Sequence, residues 1–139
     1  MKLLFWRVAA LLTLPALSAV TSVGHAAESN NTVDCSKATT QIDMEQCATE
    51  ALNKADAELN QTYVEYRNQL DRERQNQIRD VQLAWIKYRD LSCKYATSST
   101  GGSAHGLALQ SCLSDKTLQR TQEIKALANC REGDLSCPR

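Results

Sequence analysis

Trp85, Arg89 and Cys93 stand four residues apart within the stretch Gln82-Leu83-Ala84-Trp85-Ile86-Lys87-Tyr88-Arg89-Asp90-Leu91-Ser92-Cys93. On a helix that spacing makes one nearly continuous stripe, because residues i and i+4 lie one above the other. A Gly101-Gly102-Ser103 loop follows, then a second cysteine at 112, and then Thr117 and Arg120 one helical turn apart. An indole, a guanidinium and a thiol on one helical face describe the core of a small helical domain clamped by a disulfide. Trp85, Arg89, Asp90, Thr117 and Arg120 are therefore read as a structural motif. Each arginine is expected to lie along the core and pair with a carboxylate such as Asp56, fixing helix register.

Hydrophobic periodicity extends this reading along the chain. From about Thr40 to Leu70, Met44, Ala48, Ala51, Leu52, Ala55, Leu59, Tyr63, Tyr66 and Leu70 recur at helical spacing. Thr39 or Thr40 is placed to cap the first turn, and Lys54 and Glu58 are expected on the outer face. Asp71-Arg72-Glu73-Arg74 is compatible with a turn or with helix. A second helix would bury Ile78, Val81, Trp85, Tyr88, Leu91 and Tyr95, and would break at Ser98-Ser99-Thr100-Gly101-Gly102. A third, from about Ala104 to Ala128, would turn Leu107, Leu113, Thr117, Ile124 and Leu127 inward. No alternating run is long enough for a strand. These lengths and short connections predict an all-α fold: a small antiparallel three-helix bundle built on a helical hairpin and stapled by disulfides.

The first residues carry an address. Lys2 and Arg7 give a positive start to a run that is apolar from Leu3 to Val20, interrupted by Pro15, and Gly24-His25-Ala26 offers the small residues a signal peptidase reads. Residues 1–26 are thus expected to be a secretory signal peptide, and 27–139 a single domain with a disulfide-closed C-terminal tail. Pro15 and the polar residues from Thr21 onward argue against a membrane span, which needs about 20 continuous apolar residues. A periplasmic or secreted protein is the expectation.

All six cysteines, at 35, 47, 93, 112, 130 and 137, lie beyond that segment. An even count in a short exported chain implies a disulfide framework, although six thiols leave many connectivities open. Local order suggests Cys35–Cys47, Cys93–Cys112 and Cys130–Cys137, with the middle pair preferred because it closes the long loop. No Cys-x-x-Cys occurs, and His105 is the one histidine past the leader. A metal site or a redox pair is therefore not expected, and no cofactor is implied.

Charge narrows the partners. Cleavage removes Lys2 and Arg7 and no acidic residue, leaving 14 basic against 16 acidic. With no basic tract, nucleic acid is not an expected partner.

Several motifs together resemble a known family. They are Cys35 and Cys47 around Thr39-Thr40-Gln41-Ile42-Asp43-Met44-Glu45-Gln46-Cys47-Ala48, and Ala55-Asp56-x-x-Leu59-Asn60-x-x-Tyr63. They continue through Gln82-x-x-Trp85-x-x-x-Arg89-Asp90-x-x-Cys93, Gly101-Gly102-Ser103, and Cys112-Leu113-x-x-x-Thr117-x-x-Arg120. In this order the chain is similar to the LprI-like lysozyme inhibitors across nearly all of its mature length. The resemblance implies an all-helical envelope protein that binds and inhibits peptidoglycan-cleaving lysozyme. The Cys130 and Cys137 pair lies outside the motif core.

Three function classes are weighed: an inhibitor of lysozyme, a cell-envelope interaction module with another protein partner, and an enzyme. Ser103 and His105 suggest a nucleophile and base, but no strand-turn-helix elbow or third partner supports them, so the chain is not read as an enzyme. An inhibitor needs a protruding segment with hydrogen-bond donors for the carboxylates of a lysozyme cleft. Ser98, Ser99, Thr100, Gly101, Gly102, Ser103 and His105 form the candidate partner-binding loop. Their hydroxyls and imidazole can donate, the glycines allow close approach, and a Cys93–Cys112 bond would hold the ends. The tyrosines at 63, 66, 88 and 95 are read as core rather than as a binding face.

Overall fold

A computed structural model describes residues 33–131, 133–135 and 137; the expected signal segment, 1–26, lies outside them. Three helices account for the ordered elements: α1 (Gln41–Asn68), α2 (Arg72–Ala96) and α3 (Ala104–Ala128). No strand occurs among the described residues. Thr40 caps α1, its hydroxyl accepting from the Asp43 N–H at 3.1 Å. Asp71 caps α2 in the same way through Arg74 at 2.9 Å. The charged connection is therefore one N-cap followed at once by helix. Each cap satisfies an N–H that the first turn would otherwise leave open.

The chain runs up, down and up through this bundle. α1 and α3 share the most extensive interface, and α2 touches both along a narrower strip. The apolar centre is small: Leu59, Tyr66, Ile78 and Ile124, with Tyr63, Leu70, Trp85, Leu127 and Ala128 packed around it. Polar side chains fill out the interior, among them Thr62, Gln82, Ser114, Thr117, Arg120 and Thr121. Three disulfides staple the fold, Cys35–Cys47, Cys93–Cys112 and Cys130–Cys137.

One part of the expected core is corrected. Val81, Tyr88, Leu91 and Tyr95 are exposed rather than inward, Tyr95 by 83%. The strip of α2 that faces its neighbours is instead Ile78, Gln82, Trp85, Arg89 and Cys93. Because α2 meets the α1–α3 pair along a single row, only that row is covered. An apolar residue one position off it stays in water despite its helical period. Ala51 of α1 is likewise exposed.

Candidate functional site

Two constellations stand out, one inside the bundle and one at its end. The interior one is centred on Arg89. Its Nη1 donates to Asp56 Oδ1 of α1 at 2.8 Å and to Thr117 Oγ1 of α3 at 3.0 Å, and its Nε donates to Asp90 at 3.0 Å. A single guanidinium thus ties all three helices together. Trp85 lies between two cations, with Arg89 at 5.4 Å and Arg120 at 5.8 Å from its ring centroid. Arg120 donates through Nε to Gln82 at 3.1 Å and through Nη1 to Glu123 at 2.9 Å.

Asp56, Trp85 and Arg89 also border a cleft of about 210 Å³ between α1 and α2. Nearly every named polar group there already has a partner within the bundle. This arrangement ties the three helices in register. The described residues contain no group of His, Cys, Asp or Glu side chains able to hold a metal ion.

The second constellation is the α2–α3 connection. Cys93 is fully buried and bonded to Cys112, with Cα atoms 5.6 Å apart, so the two helices are joined just below the loop. Closing a loop of this size is worth roughly 3 kcal/mol by the chain-entropy estimate. Thr97 is buried and its hydroxyl donates to the Cys93 carbonyl at 2.9 Å. The Thr100 N–H reaches back to the Thr97 carbonyl at 3.0 Å. His105 Nδ1 meets the same carbonyl at 3.2 Å. A carbonyl only accepts, so Nδ1 carries the proton there and Nε2 is left facing away from that bond.

From α1, the Gln41 amide donates to the Ser103 carbonyl at 3.1 Å and to Glu45 at 2.9 Å. Gly102 has φ of +63°, a left-handed conformation that favours glycine and lets the chain turn into α3. Ser98, Ser99, Gly101, Gly102 and Ser103 are exposed, whereas Thr100 and His105 are half-buried. Ser103 occupies the N-cap of α3 without using its side chain as a cap.

The sequence-derived residues therefore fall into two separate places. Trp85, Arg89, Thr117 and Arg120 gather within the bundle, with Asp90 on the surface beside Arg89, and Ser98 to His105 sit at one end of it. Two contacts were not assigned from sequence. Gln41 anchors the loop from a distant helix, and Gln82, which heads the Trp85 motif, holds Arg120. Glu58 is not on an open face as expected: it accepts from Lys125 of α3 at 2.7 Å. That bond holds its carboxyl below the ordinary carboxylate range. Asp34 is also held low, chiefly by hydrogen bonds from Ser36 and then by Lys37.

Comparison with known proteins agrees with the motif pattern. The profile of the family described as lysozyme inhibitor LprI matches residues 34–124, which span α1, α2, the loop and most of α3. An uncharacterized protein of Rhizobium meliloti (strain 1021) is 35% identical over 113 residues, covering 71% of this chain and 81% of the relative. No solved structure matches the chain. With the profile spanning well over half of its length, the chain belongs to the lysozyme inhibitor LprI family.

Proposed function

We propose that this protein is exported and inhibits a lysozyme by placing the Ser98–His105 loop in the glycan-cleaving cleft. Family membership is the observation that carries the lysozyme reading. Three disulfides agree with an oxidising compartment outside the cytoplasm.

The choice of loop follows from physical requirements. A lysozyme cleaves glycans with a carboxylic acid and a nearby carboxylate in a deep cleft. A blocking segment must protrude, present donors, and keep its shape so that little conformational freedom is lost on binding. Two features support the connection: its Ser98, Ser99 and Ser103 hydroxyls are exposed, and its base is fixed by Cys93–Cys112, Thr97 and Gln41.

Within that reading Ser103 donates to the ionised carboxylate. His105, its Nδ1 held by the Thr97 carbonyl, keeps Nε2 free of that bond to meet the second carboxyl group. Leu91 and Tyr95, exposed on the last turns of α2 before the loop, supply an apolar collar that excludes water. The small net negative charge of the mature chain adds only weak steering toward a cationic enzyme.

The test is residual lytic activity of lysozymes of different types, titrated with the purified protein. A stoichiometric, saturable loss of activity for at least one type supports inhibition. Full activity across the panel, with capture of a different envelope protein, would make the chain an interaction module instead. Release of a glycan or peptide product by the protein alone would make it an enzyme.

A further inference from the structure

At the end of the bundle opposite the loop, the C-terminal turn of α1, the first half of α2 and the end of α3 border a half-open cavity of about 370 Å³. That volume lies within the range of small-molecule sites. Tyr66, Leu70, Ile78, Val81 and Leu127 give it apolar walls, and Arg74, Gln77 and Arg120 supply its polar atoms. No carboxylate is among the described residues that line it.

Arg120 is the unusual member. Its side chain is 9% exposed. Nε and Nη1 are bonded to Gln82 and Glu123, but Nη2 is buried with no partner. A buried charged donor left unpaired is costly, and Arg120, packed on one side over the Trp85 ring, also borders this apolar pocket. Arg74 stands at the same cavity with its Nε 3.5 Å from Asp71, which lies outside the lining.

We propose that this cavity binds a small amphiphile: an unbranched alkyl monocarboxylate whose chain lies against Leu70, Ile78, Val81 and Leu127 and whose carboxylate accepts from Arg120 and Arg74. Apolar walls account for the chain, since each buried methylene contributes about 0.8 kcal/mol. Guanidinium donors account for a planar, two-oxygen head group. Because Nη2 is covered, the head group reaches it only with a rotamer adjustment of the cavity wall. A two-chain phospholipid is too large for the space. This site is independent of the loop and of lysozyme binding.

Decanoate titrated into the exported protein tests the assignment, read by calorimetry and by fluorescence of Trp85, whose ring lies beneath Arg120. Saturable binding below the micellar range is expected, with decanol at least tenfold weaker. Val81→Phe, a change at the half-exposed rim that fills the cavity, should weaken decanoate at least tenfold while melting as the parent does. Arg74→Gln should weaken decanoate several-fold and leave decanol unchanged.

Equal binding of decanol and decanoate would overturn the proposal, as would parental affinity in a folded Val81→Phe variant or no saturable signal at all. Phosphatidylglycerol vesicles should leave Trp85 unchanged. A response to vesicles without one to decanoate would assign the arginines to a membrane surface instead and overturn the cavity site.

Discussion

Arg89 of α2 and Asp56 of α1 meet at 2.8 Å, with the guanidinium side chain 14% exposed and the carboxylate 40%. The same Nη1 also reaches Thr117 of α3, so one group holds the three helices in register. Arg89→Ala should therefore destabilise the domain by about 2 kcal/mol. That is less than the 3–5 kcal/mol typical of breaking a fully buried pair, because Asp56 keeps contact with water. Denaturant melts of Arg89→Ala, Asp56→Ala and the double variant measure the coupling directly. A double variant costing the sum of the singles would show that the pair contributes nothing of its own.

Trp85→Ala should also cost stability, by about 2–3 kcal/mol, reduced from the usual range for a core tryptophan because the ring is only half-buried. Thermal melts check this. Parental stability combined with lost partner binding would move the recognition surface to that face of α2.

No free thiol is expected in the exported protein, since all six cysteines are paired. Thiol titration under denaturing conditions should find essentially none. Replacing both Cys93 and Cys112 with serine should lower stability by roughly 3 kcal/mol and weaken inhibition by loosening the base of the loop. Unchanged inhibition by a still-folded variant would show that the loop does not need its clamp.

Stability should depend on pH through Glu58. Lys125 holds its folded pKa below the ordinary value. Its contribution is thus fully present above the ordinary carboxylate range and is lost as pH falls through the depressed folded value. Melting temperatures of the parent and of Glu58→Gln should differ at neutral pH and converge in acid. A difference that persists or grows on acidification would contradict the assignment.

Helix positions and the Trp85–Arg89–Cys93 row were legible because four-residue spacing fixes a face whatever the residue type. Asp56 was legible as the partner of Arg89 because a guanidinium in a core needs a carboxylate within reach. The exposed positions Val81, Tyr88, Leu91 and Tyr95 were not legible. Periodicity ranks residues by apolarity, while burial here follows a narrow contact row that includes Gln82 and Arg89. Lys125 and Glu58 escaped for a related reason, since an ion pair between helices distant in sequence leaves no local pattern. The loop was visible from its glycines, but its tie to Gln41 depends on how α1 lies against α3.

Inhibition titrations of Ser103→Ala combined with His105→Ala, run beside the parent and Lys54→Ala, test whether the Ser98–His105 loop blocks lysozyme. Losing a donor to a charged acceptor costs about 1.5–3 kcal/mol, so the loop variant should inhibit roughly tenfold to hundredfold more weakly. Its helicity and melting should be unchanged. Lys54, exposed on α1, should be dispensable. If the loop variant inhibits as well as the parent while Lys54→Ala fails, the inhibitory surface is a flank of the bundle and the loop account is wrong.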